Sequence, residues 1–142
     1  MFRSLTDTIF VAPQIDGEAV AAARDLGVTL IINNRPEGES ADQVPGAEIE
    51  AAAQAAGLAY VAIPITPGGF SQPQVDAMVA ALGAAEGKVL AYCRSGTRST
   101  LLWALAKSSE GADPDAVAGI AAEAGYDVAP VRPLMDMLKA KA

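Results

Sequence analysis

Short apolar runs alternate along this chain with alanine-rich stretches, and glycine or proline punctuates each change. The run over 8–12 predicts a first strand, closed by Pro13, and residues 17–26 follow as a helix stopped at Gly27. Residues 28–33 form a continuous β-branched and leucine run, which predicts a strand covered on both faces and lying centrally in a sheet. The next thirteen residues, 34–46, are rich in Pro, Gly and charge and predict a long functional loop. A helix over 47–56 ending at Gly57 and a third strand over 59–65 come next. Beyond the loop 66–71, Val75, Met78, Val79 and Leu82 share one face of a helix predicted over 74–85. Residues 89–92 predict a fourth strand that runs directly into Cys93. Helix resumes at about Ser99, and further helices are predicted over 113–124, with Pro114 in the first turn, and over 130–140.

Strands alternating with helices at these spacings predict an α/β fold, a mainly parallel sheet of four or five strands flanked by helices. Ligands of such sheets bind at the carboxyl ends of the strands, where Cys93 falls. A length of 142 residues, 51% of them hydrophobic, suits one domain with a full core, residues 1–142.

Charge and composition narrow the chemistry. The net charge of −7, without a basic run, disfavours nucleic acid and anionic membrane as partners, so any anion site must be local. One cysteine makes no internal disulfide, and neither a secretion signal nor a membrane-spanning run is apparent, so a cytoplasmic protein is expected. With no histidine, Cys-His and Ser-His pairs are excluded, as is an imidazole metal site; neither metal nor cofactor is expected. The oligomeric state stays open, a homo-oligomer included.

The segment Cys93-Arg94-Ser95-Gly96-Thr97-Arg98-Ser99 carries the chemistry. A strand ending in cysteine, a short Ser/Gly turn and a helix allow successive backbone N–H groups to form an anion nest around the sulfur. The helix N-terminus adds positive potential, so a thiolate nucleophile needs no histidine. Arg98 is expected to grip two oxygens of a transferring group, and the Ser99 hydroxyl to donate to the thiolate. Gly96 permits close backbone approach, the amides of Arg94, Ser95 and Thr97 line the nest, and Arg94 points outward at the mouth. The competing reading is a buried packing cysteine, for which a Ser/Gly/Arg turn would be an odd setting.

Four residues separate Cys93 from Arg98. Tyrosine-phosphatase-like loops have one more, and the shorter count looks like the loop of rhodanese-type sulfurtransferases. The loop 66–71 contains no acid to protonate a leaving oxygen, and sulfur transfer from thiosulfate needs none. These points favour a sulfurtransferase that passes sulfur through a Cys93 persulfide to a low-molecular-weight thiol such as glutathione. A phosphatase working through phosphocysteine, with an acid such as Glu37, is the alternative, and a non-catalytic anion- or partner-binding module is a third.

Several motifs together resemble the phosphatase-like domain of bacterial beta-lactamase-hydrolase-like proteins, also described as a sulfur transferase family. They are Val11-Ala12-Pro13-Gln14, Ile31-Ile32-Asn33-Asn34-Arg35-Pro36-Glu37-Gly38-Glu39, Gly57-Leu58-Ala59-Tyr60 with Ile63-Pro64-Ile65, and Tyr92 through Ser99. The resemblance implies a dual-specificity-phosphatase-like fold with a rhodanese-like loop. Some relatives carry a fused persulfide dioxygenase, and a stand-alone enzyme is expected here. It also draws attention to Asn34, Arg35 and Glu37 as a cleft wall, with Arg35 adding charge or pairing with Glu37 or Glu39. Gln14 and Thr66 are further polar candidates.

Overall fold

The computed structural model describes residues 1–142. Its strands are β1 (Arg3–Thr6), β2 (Ile9–Ala12), β3 (Val28–Asn33), β4 (Ala59–Ala62) and β5 (Lys88–Tyr92). Its helices are α1 (Gly17–Asp25), α2 (Gly46–Ala55), α3 (Gln72–Ala84), α4 (Thr97–Ser109), α5 (Pro114–Glu123) and α6 (Arg132–Lys141). The strands form one sheet in the order β1-β2-β5-β3-β4, parallel except for the antiparallel β1–β2 pair. β5 therefore lies in the middle of the sheet, and its carboxyl end delivers Cys93 to the centre of one edge of the molecule.

Alternation along the strands assigns side chains to two cores. Val11, Leu30, Ile32, Val89 and Ala91 face a larger core shared with α3, α4, α5 and α6. Ala12, Ile31, Leu90 and Tyr92 face a smaller one under α1 and α2. Helix α4 is buried from Ser99 through Ala106, so it sits between the sheet and the other helices and is held on all sides. The nucleophile loop thus joins the innermost strand to the innermost helix, which makes it rigid at both ends.

The differences from the sequence expectations have local causes. β1 carries no strand signature in the sequence, because Arg3-Ser4-Leu5-Thr6 buries only Leu5 and shows no apolar alternation. The third predicted strand stops at Ala62, since Pro64 lacks an N–H for the ladder. The chain stays close even so: Ile63 N–H donates to Asn33 O at 2.9 Å and Ile65 N–H to Asn34 O at 2.9 Å. Helix α3 begins earlier than expected, at Gln72, behind a capping box in which the Ser71 side chain and Gln74 serve each other's backbone N–H groups. The last predicted helix opens with a 3-10 turn, Ala129–Val131, before α6. No helix is long and apolar enough to cross a membrane.

Candidate active site

Cys93 follows the last residue of β5, and its N–H donates to Ala12 O at 3.3 Å, which keeps the chain in register for one residue beyond the strand. The loop then turns sharply at Gly96, whose φ of 89° is open to glycine and strained for other residues. That turn brings the Gly96 N–H onto Cys93 Sγ at 3.1 Å. α4 starts at the next residue, braced by Thr100, whose N–H and hydroxyl both donate to Gly96 O at 3.0 and 2.9 Å. Ser95 Oγ accepts from the Thr97 N–H, and its own hydroxyl donates to Thr97 Oγ1. The N–H groups of Arg94, Ser95, Arg98 and Ser99 have no protein acceptor, so they remain for an anion beside the sulfur. Cys93 itself is fully buried at the floor of this loop.

Arg98 is held by its outer end. Nη1 donates to Glu39 Oε2 at 2.7 Å and to Ile65 O at 2.8 Å, and Nη2 donates to Glu39 Oε1 at 2.8 Å. Both hydrogens of Nη1 and one of Nη2 are thereby used. The hydrogens left, on Nε and on the neighbouring side of Nη2, share one edge of the plane and can take two oxygens of a single ligand. The Glu39 partnership raises the Arg98 pKa first, burial opposes it, and the Cys93 sulfur adds to the rise. Glu39 in turn is lowered to about 2, chiefly by the hydrogen bond from Arg98, against desolvation and with help from Arg35. It is a fixed carboxylate and cannot serve as a proton donor near neutral pH.

The loop after β3 builds the rest. Arg35, only 4% exposed, donates from Nε to Glu39 Oε1 at 2.9 Å, from Nη1 to Gln14 Oε1 at 2.9 Å and from Nη2 to Ser40 Oγ at 3.1 Å. Of the two acids offered for Arg35, the structure selects Glu39. Glu37 turns the other way and accepts from the Gly46 N–H at 3.0 Å, where it caps α2. That engagement commits the Glu37 carboxylate to the start of α2 and gives it no bond to the 93–99 loop.

Asn34 is fully buried and works as a brace. Its Nδ2 donates to Ile63 O at 2.9 Å, which fixes the amide so that Oδ1 accepts from Ser99 Oγ at 2.8 Å. The Ser99 hydroxyl proton therefore goes to Asn34, in place of the expected bond to the thiolate. Thr66 is exposed and accepts from the Gly68 N–H at 3.3 Å within its own turn. Arg94 is exposed at the mouth, where its charge helps to lower the pKa of Asp42, a shift due first to the Ser40 hydroxyl.

The residues brought together are thus Cys93, Gly96 and Arg98, with Glu39 and Arg35 behind them. Sequence reasoning offered Glu39 only as a partner for Arg35. Its reach to Arg98, 59 residues away, follows from the need of a part-buried guanidinium for a counter-charge, and nothing in the spacing shows which acid supplies it. No group of three or more Cys, Asp or Glu is arranged to hold a metal ion.

A central parallel sheet, a cysteine at the end of its middle strand and an arginine at the start of the next helix define an α/β phosphatase-like domain. The chain belongs to the family described as the beta-lactamase hydrolase-like protein, phosphatase-like domain, whose model matches residues 1–110. It is 42% identical over 86 residues to a beta-lactamase hydrolase-like protein of Xylella fastidiosa strain Temecula1, a match covering 60% of this chain and 20% of that protein. The chain thus spans about a fifth of the length of the curated relatives it matches.

Among solved structures, a protein of Neisseria meningitidis Z2491, provisionally assigned as a phosphatase, superposes with a TM-score of 0.83 at 31% identity over 96% of both chains. TpbA of Pseudomonas aeruginosa, solved as a cysteine-to-serine variant with phosphotyrosine, gives a TM-score of 0.70 at 18% identity, covering 99% of this chain and 88% of that one. The fold is that of the tyrosine- and dual-specificity-phosphatase-like proteins. The similarities are phosphatase-like throughout and lend no support to the sulfurtransferase that loop counting favoured.

Proposed function

We propose that this domain is a cysteine-dependent phosphatase acting on aryl phosphate monoesters. The observation that carries the reading is Arg98, pinned by Glu39 and Ile65 so that one donor edge is left for two oxygens, beside a loop of unengaged amides and Cys93 Sγ. In the first step the Cys93 thiolate attacks phosphorus. The S–P bond forms as the P–O bond to the leaving group breaks, and the aryl oxide departs with the electron pair. Water then attacks the phosphocysteine, the S–P bond breaks, the thiolate returns and phosphate leaves with one proton passed to solvent. Arg98 and the amides of the loop hold the phosphoryl oxygens through both steps.

The substrate class follows from the leaving group. The loop over 66–71 has no acid, Glu37 is engaged at α2, Glu39 stays ionised, and Asp42 at the mouth is held below its ordinary range first by the Ser40 hydroxyl, so none of these carboxyls is poised to protonate a departing alkoxide. Phenolates, being far less basic than alkoxides, depend on such help much less, and the more acidic the phenol the less they depend on it. Phosphotyrosine, the molecule bound to TpbA, is a substrate of this kind. With a series of substituted phenyl phosphates, kcat/KM is expected to rise steeply as the phenol becomes more acidic, with alkyl phosphates nearly inert and all turnover abolished in Cys93→Ser. Equal rates for alkyl and aryl esters would contradict the proposal.

One observation favours a second reading, sulfur transfer. Only four residues separate Cys93 from Arg98, which suits a smaller transferred group. Thiosulfate:cyanide transferase activity exceeding aryl phosphatase activity, with both lost in Cys93→Ser, would favour it.

A further inference from the structure

The bond between Ser95 and Gly96 is a single peptide plane, and its two polar ends face opposite partners. On one side the Gly96 N–H points at Cys93 Sγ at 3.1 Å. On the other the Ser95 carbonyl accepts from the Tyr126 hydroxyl at 3.2 Å. Because the N–H and C=O of a trans peptide are antiparallel, whatever fixes the carbonyl fixes the aim of the N–H. Tyr126 also fills the space behind the turn, since a Cβ added at Gly96 would collide with its hydroxyl.

Tyr126 does not float in this position. It follows α5, and its N–H donates to Ala121 O at 2.9 Å. The Arg3 guanidinium lies 5.2 Å from the centre of its ring. Arg3 is tied down in turn, with Nη1 donating to Ala124 O at 2.9 Å. A chain of contacts therefore runs from strand β1, through Arg3 and Tyr126, to the back of the nucleophile loop. Tyr126 lies beyond residues 1–110, the span matched by the family model, so this brace belongs to the carboxyl-terminal part of the chain.

We propose that Tyr126 is a positioning residue that locks the Ser95–Gly96 peptide with its N–H on Cys93 Sγ, and so stabilises the thiolate from outside the anion cradle. The role rests on Cys93 acting as a thiolate nucleophile, whichever group it transfers. A phenol pushed above its ordinary range, first by burial, then by the Cys93 charge and against the pull of Arg3, stays protonated and remains a donor through neutral pH. Without the hydroxyl the Ser95 carbonyl loses its partner, so the Gly96 N–H is aimed less firmly at the sulfur while the ring packing is retained.

The test is the pH profile of Cys93 alkylation by iodoacetamide in the full chain, for the unchanged protein, Tyr126→Phe and Arg3→Gln, with thermal unfolding measured alongside. In Tyr126→Phe the half-maximal rate is expected at higher pH, and alkylation below that pH to slow roughly three- to tenfold, the size of one lost hydrogen bond, with Tm nearly unchanged. Arg3→Gln should move in the same direction by less. An unchanged profile in Tyr126→Phe, with the parent protein reactive, overturns the role of Tyr126 and leaves the nucleophile standing. A parent profile that rises only in the range of an ordinary unpaired thiol, about pH 8.5, overturns both. The distinction is clean because alkylation requires neither phosphate nor sulfur as substrate.

Discussion

Glu39 lies between two guanidinium groups, 18% exposed, with Arg35 on one side and Arg98 on the other. Replacing it with glutamine leaves Arg35, almost wholly buried, without its counter-charge, and roughly 2–3 kcal/mol of stability is expected to be lost. Arg98 would also lose its anchor, so aryl phosphatase turnover should fall roughly 10- to 100-fold even though Glu39 never touches substrate. The pH dependence has a definite sign. The folded carboxyl titrates at about 2, below its ordinary 4.5, so its contribution is complete above 4.5 and drains away as the pH falls from there toward 2. Thermal unfolding followed from neutral pH into that acid window should therefore show a steeper loss of Tm in the parent protein than in Glu39→Gln. Parallel curves would mean that the pair adds nothing to stability.

At the scale of elements, the nucleophile loop works because two turns meet in it: the end of β5 and the start of α4, joined through Gly96. With φ at 89° and the Tyr126 hydroxyl in the space a side chain would need, Gly96→Ala carries both strain and a collision. Left-handed strain alone accounts for about 1–2 kcal/mol. Loss of Tm of at least that size, together with loss of activity, is expected; full activity would show that the loop is less constrained than its contacts imply. This loop was legible in the sequence because strand, cysteine, glycine and helix follow one another without a break, and the continuous apolar run from Val89 to Tyr92 names a strand covered on both faces. Its supports were not. β1 has no apolar period, and Tyr126 contacts Ser95 across 31 residues, while Asn34 contacts Ser99 across 65. The Asn34 bond forms because the sheet order sets β3 beside β5, and the Tyr126 bond because α5 packs on α4 and β1; no local pattern encodes either neighbourhood. Glu37 shows the converse: its place beside Arg35 suggested a role in the cleft, and the unpaired N–H at the start of α2 claimed it instead.

The molecule as a whole carries a net charge of −7, so its anion site is a local feature of an otherwise repulsive surface. The sheet makes that feature possible. Its two cores hold β5 from both faces, α4 is enclosed by α3, α5 and α6, and the unengaged amides between them are presented at the carboxyl edge of the central strand. Fold and family are phosphatase-like, whereas the short span between Cys93 and Arg98 and the acid-free loop over 66–71 lean toward sulfur. The covalent intermediate separates the two chemistries without reference to steady-state rates. Rapid acid quench after mixing with p-nitrophenyl phosphate, followed by mass spectrometry of the peptide containing Cys93, should show one added phosphoryl group that is absent from Cys93→Ser. An unmodified peptide under those conditions, with one added sulfur appearing after thiosulfate treatment, would contradict the phosphatase account.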